Sequence, residues 1–368
     1  MPKIKHIIIG LLLLIGLNAN AHDFEYQIPG QDALSKLCFK ILDENRRTVE
    51  LTYESKIDKN LYYVHLPDDL VIPGRVDYKG KSYLVVRIGK KAFANCVNIK
   101  KVTIPATVIE IGNFAFEGCQ YLTSVVFHSD NVKIGTGAFY KCEDIKHLEF
   151  GDNWRSVDFS PFRFSNRLKE VEIPAKATEV IGLETLVFLE KISVNSVNQS
   201  FMSDNGILYS RDGKRLIFCP RNYGSTIVVR EGCEEVEEHA LERCINTSVL
   251  TLPKSLQCIS FRETYRMRFL RTINVKNPQP IGTAFEIYEK ETIGCWFFIL
   301  PNSEVTIYVP KEKVGGQKSI NLYRTALPLQ KYGEFLSPCE DNRTPYMVKA
   351  YEIPTEKKLK EYDFNYEK

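Results

Sequence analysis

The strongest constraint on this chain is a unit of 23 residues that is repeated several times in direct succession. The same residue types return at the same offsets in each unit, and a short Val-x-Ile-Pro-like pattern closes it. A fixed period of roughly 20–50 residues indicates a repeat array, because one such unit cannot bury its own apolar face. The recurring positions are Ile88, Ile111 and Ile134; Phe93, Phe116, Phe139 and Phe162; and Cys96, Cys119 and Cys142, followed by Ser165 in the fourth unit.

Each unit has two halves with different periodicities. In "KKVTIP" (100–105), apolar and polar residues alternate, which predicts a short strand that the proline ends, because proline has no N–H to donate. In "IGKKAFANC" (88–96), apolar residues recur at spacings of three and four, which predicts one or two helical turns. The predicted fold is therefore an α/β leucine-rich-repeat solenoid, a parallel sheet with short helical turns.

The segments that flank and interrupt the repeats are different in character. Asn205-Gly206 and Asp212-Gly213 lie between apolar runs, which predicts an inserted β-hairpin. Atypical ends are expected because a solenoid needs caps over its exposed core faces. The predicted organisation is a signal peptide (1–21), a β-rich N-terminal cap (22–87), leucine-rich repeats (88–195), the hairpin insertion (196–222), further repeats (223–275), a C-terminal cap (276–350) and a tail (351–368).

The repeated cysteines are predicted to form a column of buried free thiols. Neighbouring strands lie about 4.8 Å apart, whereas a disulfide prefers about 3.8 Å between Cβ atoms. Free cysteine also suits a small apolar position. Disulfides along the column remain the alternative, because the chain reads as an exported protein. Cys244 shares the position, and the state of Cys38, Cys219, Cys233, Cys258, Cys295 and Cys339 is left open.

The first 21 residues predict export. Lys3 and Lys5 precede the apolar stretch "HIIIGLLLLIGL", and cleavage is expected after Ala21; an uncleaved anchor is the alternative. No second long apolar stretch follows, so we expect a secreted or cell-surface protein with no integral membrane segment after cleavage. Without this segment the chain has 47 basic and 46 acidic residues. This near balance, without a basic stripe, argues against nucleic-acid binding.

The sequence contains no pattern that indicates catalysis or metal binding. The histidines are well separated, and the sequence has no C-x-x-C pair, nucleophile elbow or phosphate-binding loop. Glu149 and Glu172 are conceivable as an acid–base pair on neighbouring strands, but a solvated face is the simpler interpretation. We therefore predict no catalytic residues, no cofactor and no metal site.

Alternation along the strands predicts the face on which a ligand would bind. If Val102 and Ile104 point inward, the intervening residues point outward. Interface hot spots favour Trp, Tyr and Arg, and this row has none, so a plain solvated sheet is an equal alternative. The candidate ligand face comprises Lys101, Thr103, Ser124, Val126, His147, Glu149, Glu170 and Glu172.

The pattern "IG..AF..C..L..V.IP" resembles the BspA-type leucine-rich repeat, a family of bacterial and protist surface proteins. "VIPGRVDYKGKSYLVVRIGKKAF" resembles the family's opening segment, "DNGILYSRDGKRLIFCP" its intervening hairpin, and "TIYVPKEK" with "LYRTALPLQKYGEF" its closing segment, although the Trp common near that end is absent. The resemblance implies adhesion or protein–protein interaction outside the cell, with a protein or glycan ligand and no catalysis. A carbohydrate-binding or nutrient-capture accessory protein of the bacterial envelope is the alternative, which the 19 tyrosines leave open.

Overall fold

A computed structural model describes residues 22–53, 65–259, 267–279, 281, 305–319, 321–322 and 359–362. The predicted signal peptide and most of the predicted C-terminal cap lie outside these residues. Within the described ranges, no helix has the length and apolar character needed to cross a bilayer. The chain divides into two compact units, Met1–Leu168 with Pro174–Leu186, and Lys169–Ile173 with Val187–Lys368.

The first unit consists of strands and turns, with short 3₁₀ helices at Ser160–Phe162 and Leu183–Thr185. Its strands are β1 (Phe24–Gln27), β2 (Lys36–Asp43), β3 (Thr48–Thr52), β4 (Asp69–Val71), β5 (Arg75–Tyr78), β6 (Lys81–Ile88), β7 (Lys101–Ile104), β8 (Glu110–Ile111), β9 (Ser124–Phe127), β10 (Lys133–Ile134), β11 (His147–Glu149), β12 (Ser156–Asp158) and β14 (Glu179–Ile181).

The second unit is also built from strands in its described residues. They are β13 (Glu170–Ile173), β15 (Lys191–Val194), β16 (Phe201–Asp204), β17 (Ile207–Ser210), β18 (Arg215–Phe218), β19 (Thr226–Val228), β20 (Glu235–Val236), β21 (Val249–Leu252), β22 (Cys258–Ile259), β23 (Thr272–Val275), β24 (Thr306–Pro310), β25 (Lys313–Val314), β26 (Gln317–Lys318) and β27 (Leu359–Tyr362).

The repeats of the first unit stack as parallel strands in the register that the period predicts. The sheet order is β11-β9-β7-β4, and β6, β8 and β10 form a second parallel ladder. Val102 lies opposite Val125, which in turn lies opposite Leu148, so equivalent residues of successive units are neighbours. The predicted parallel solenoid is confirmed, and the apolar column along its inner side excludes water from the ladder.

The predicted helical turns are not confirmed, so the fold is a β-solenoid rather than an α/β structure. In 88–96 the chain forms consecutive turns, and Lys91 (φ 60°) and Asn95 (φ 61°) adopt left-handed dihedrals that an α-helix excludes. The N–H of Phe93 donates to the carbonyl of Ala115 in the next unit at 2.7 Å. In an α-helix that amide would instead serve a carbonyl four residues earlier.

A column of phenylalanines forms the centre of the first unit. Phe93, Phe116, Phe139 and Phe162 are fully buried. The ring centroids of successive members are 5.0, 5.0 and 4.8 Å apart, with near-parallel planes. Burial of each ring stabilises the fold by about 1.5–3 kcal/mol, so this column is a main source of cohesion between turns.

The repeated cysteines are buried and free, as predicted. The thiol of Cys119 donates a hydrogen bond to the carbonyl of Phe93 at 3.1 Å, and Cys142 does the same to Phe116 at 3.0 Å. Alanine at Cys119 or Cys142 would lack this bond. Burial raises the pKa of Cys119 well above its ordinary value, which suppresses reactivity because only the thiolate is nucleophilic.

The insertion in the second unit is a three-stranded antiparallel meander, β16-β17-β18, rather than a single hairpin. Asn205 (φ 50°) and Gly206 (φ 86°) make the first turn, which matches the positive dihedrals of a type I′ hairpin. β18 then continues in parallel with β20 and β22. Part of the predicted tail, Leu359–Tyr362, pairs with β24; the segment boundaries given above otherwise remain predictions.

Candidate functional site

Six of the eight predicted face residues lie on one parallel sheet of the first unit. Lys101, Ser124 and His147 lie opposite one another on β7, β9 and β11, and they form one row across the strands. The same registers align a second row two residues later, which consists of Thr103, Val126 and Glu149. The structure therefore brings these six residues together on one face.

Exposure differs sharply within the two rows. Lys101, His147 and Glu149 are exposed and Ser124 is half-buried, whereas Thr103 and Val126 are only 9% and 5% exposed. The Nε2 atom of His147 lies 3.6 Å from an Oε atom of Glu149. This exposed pair adds little to stability, so both groups remain accessible to a ligand. The polar part of the face is Lys101, Ser124, His147 and Glu149.

Two residues on this face were not predicted from the sequence. Asp69 and Val71 on β4 pair with Lys101 and Thr103 and extend the rows by one strand. Val71 is 63% exposed. The signal was present in "LVIP" (70–73), which has the same apolar spacing as the repeated "VTIP" but precedes the first complete repeat.

The remaining two predicted residues, Glu170 and Glu172, lie on β13 of the second unit. The Lys191 Nζ atom is 2.6 Å from a carboxylate oxygen of Glu170, so that charge is partly compensated. Glu172 is exposed and lies opposite Ser193 on β15. The conceivable acid–base partner Glu149 belongs to the other unit. Among the described residues no group of three acidic, histidine or cysteine side chains could hold a metal ion.

The second unit has a parallel sheet in which four neighbouring strands, β19, β21, β23 and β24, carry no charged residue at the alternate positions. Its order is β19-β21-β23-β24-β27, and Asn274 Nδ2 donates to Thr251 Oγ1 at 3.2 Å across two strands. Leu250 occupies the repeat position of Val102, so the uncharged positions on either side of it could have been predicted from the sequence. They are Thr226 and Val228, Val249 and Thr251, Thr272 and Asn274, and Thr306 and Tyr308.

A shallow cavity of about 290 Å³ lies among the N-terminal strands of the first unit. The ring of Tyr78 stacks on Phe24 with centroids 4.3 Å apart, and Lys79 Nζ lies 4.9 Å from the Tyr78 centroid. The hydroxyl of Tyr83 donates to Glu44 at 2.8 Å. The aromatic and polar groups of this cavity therefore engage one another, which leaves little for a ligand to contact.

The sequence matches a known family profile. The profile of the BspA type leucine rich repeat region matches in six copies, over residues 86–203 and 217–286, which is just over half of the chain. No curated protein matches the chain at a significant level.

Several solved structures are similar to this one in outline. A leucine-rich repeat protein from Bacteroides ovatus has 24% identity and a TM-score of 0.46, and the match covers 78% of this chain and 73% of that one. A leucine rich cell surface protein from Faecalibacterium prausnitzii has 18% identity and a TM-score of 0.38, with coverages of 83% and 94%. The pneumococcal vaccine antigen PcpA has 13% identity and a TM-score of 0.42, with coverages of 83% and 97%.

Proposed function

Because this chain belongs to the BspA type leucine-rich repeat family, we propose that it is a secreted or cell-surface protein that binds another protein and performs no catalysis. The predicted signal peptide (1–21) supports the location. A repeat array supports the role, since stacked units create an extended surface from short, similar segments.

The observation that carries the proposal is the register of the first unit's parallel sheet. It sets Lys101, Ser124 and His147 side by side at the strand spacing of about 4.8 Å. Glu149 adds a negative charge at one end of the face. Such a face fits a partner protein that presents a carboxylate toward Lys101 and a hydrogen-bond donor toward Glu149.

The test compares two charge-changed variants of residues 22–368 by surface plasmon resonance against a panel of purified extracellular matrix proteins. Lys101→Glu with His147→Glu alters the proposed face. Lys90→Glu with Lys133→Glu changes two exposed lysines away from it and serves as the control. We expect the first variant to lose at least ten-fold in affinity for any protein that the unaltered chain binds, and the second to stay within about three-fold.

Equal losses in both variants would indicate attraction by net charge alone and would contradict the assignment of this face. A glycan array run alongside tests the alternative function. Binding to neutral glycans with no binding to any protein of the panel would favour the carbohydrate-binding or nutrient-capture role and overturn the proposal.

A further inference from the structure

The turns between the parallel strands of the first unit present three aromatic rings, and each ring has a cation close to it. This surface, here called the aromatic–cation ridge, is on the turns rather than on the sheet face. The pairs, with the distance from the cationic Nζ or Cζ atom to the ring centroid, are Lys91 with Phe114 (5.9 Å), Lys141 with Tyr140 (5.4 Å) and Arg163 with Phe164 (5.0 Å).

Phe164 is the most unusual member of the ridge. Its φ is 76°, and its side chain is 44% exposed. A left-handed conformation costs a residue with a Cβ roughly 1–2 kcal/mol, and it is a clear outlier for a bulky side chain. The equivalent position holds Asn95, Gly118 and Lys141 in the first three units, also with positive φ. The turn therefore sets this dihedral in every unit but does not require a ring, so an exposed phenylalanine kept at the strained position points to a function.

The two pairs at this end of the ridge come from adjacent turns. The rings of Tyr140 and Phe164 meet edge to face, with centroids 5.5 Å apart. Lys141 and Arg163 are exposed, and neither forms an ion pair with any other described residue. Lys91 lies two turns away, where Glu117 at 3.8 Å partly offsets its charge. The ridge thus presents positive charge and an accessible ring side by side.

We propose that the aromatic–cation ridge binds an acidic polysaccharide. The apolar C–H face of a sugar ring packs on the exposed ring of Phe164, and the carboxylate or sulfate groups of the polymer form charge-assisted bonds with Arg163 and Lys141. A polymer suits the site because equivalent turns repeat at about 4.8 Å, which places Lys91 roughly 10 Å further along the ridge. The sheet face is not involved, so this inference does not depend on the proposed function.

A single-stranded nucleic acid also combines rings with negative charge, but the ridge suits it less well. Nucleic-acid affinity comes mainly from many phosphate contacts. The ridge offers three cations, and the chain without its first 21 residues is nearly balanced in charge.

The test measures binding of residues 22–368 by calorimetry to four probes: heparin, hyaluronan, neutral dextran and a single-stranded oligothymidylate. We expect binding to heparin, and binding to hyaluronan as well if carboxylates alone suffice; dextran should not bind. The inference is overturned if neither acidic polysaccharide binds, if dextran binds equally well, or if the oligothymidylate binds more tightly than both.

Two variants assign the binding to the ridge and use residues that the chain itself places at the same position. Phe164→Gly copies Gly118 and removes the backbone strain, and Lys141→Asn copies Asn95. Both should fold, with the melting temperature of Phe164→Gly equal to or above that of the unaltered chain. We expect each to weaken heparin binding at least five-fold, whereas Lys133→Asn, which removes one exposed charge elsewhere, should change it less than two-fold. Unchanged binding in Phe164→Gly, or an equal loss in Lys133→Asn, refutes the site.

Discussion

Replacement of Phe116 by alanine should destabilise the first unit by about 4–5 kcal/mol, the upper part of the range for a buried Phe→Ala change. Phe116 is fully buried and stacks on Phe93 and Phe139 with both centroid distances at 5.0 Å. The change therefore leaves a cavity and also removes two aromatic pairs, each worth about 0.5–1.5 kcal/mol beyond burial. Domains are typically stable by about 5–15 kcal/mol, so a large fraction of the total is at stake.

Guanidinium denaturation followed by circular dichroism measures the loss as a shift of the midpoint at constant slope. The same substitution at Phe269, which is 58% exposed, is the matched control and should change stability by no more than about 0.5 kcal/mol. A loss below about 1 kcal/mol for Phe116→Ala, or equal losses at both sites, would refute the account of the column as the cohesive centre of the unit.

Three further outcomes follow from the same structure. Alkylation without reductant should label Cys96, Cys119 and Cys142 only after denaturation, and a pair freed only by reductant would show a cross-link instead. Burial raises the pKa of Cys119 above its ordinary value of 9.0. Because the thiol then ionises more readily in the unfolded chain, the free energy of unfolding should fall as pH rises above 9. This fall should be smaller in Cys119→Ala, and an equal dependence of unfolding free energy on pH in both proteins would contradict the prediction. Gly213→Ala should lower the melting temperature, because φ is +72° and a Cβ would displace the guanidinium of Arg230 from its ion pair with Asp204; an unchanged melting temperature would contradict this.

The stacking register could be predicted from the sequence because it depends only on spacing. Residues 23 positions apart are equivalent, so a parallel stack must place Val102 beside Val125. The phenylalanine and cysteine columns follow from the same rule. The prediction used no property of the individual strands. It therefore did not include residues 70–73, which do not follow the 23-residue spacing.

The turns could not be predicted in the same way. Apolar residues three and four positions apart fit a helix, but they also fit turns in which Lys91 and Asn95 have left-handed dihedrals. The hydrogen bond from the N–H of Phe93 to the carbonyl of Ala115 in the next unit favours the turns over a helix. A bond between units is a non-local property, and the periodicity within one unit does not reveal it.

The candidate face shows a second limit of sequence reasoning. Alternation gives the direction of a side chain but not its accessibility, so Thr103 and Val126 were expected to be available to a ligand, yet they are buried. Phe164 shows the opposite case. It occupies the repeat position of Asn95 and Gly118 and shares their positive φ, and only the structure shows that its ring is exposed.

The backbone hydrogen bonds between neighbouring turns give the first unit a mechanical response that depends on the direction of pulling. The bonds from Phe93 to Ala115 and from Phe116 to Ala138 each tie a turn only to its immediate neighbour. A pull on a terminal turn is therefore expected to break the bonds of that turn first, while the bonds between the turns beyond it stay intact. Each detached turn releases one repeat of 23 residues, or about 80 Å of extended chain. Under tension, such a molecule is expected to extend in steps of equal length, and each step dissipates part of the applied work. A domain held by one sheet loaded in shear would instead resist and then unfold in a single event.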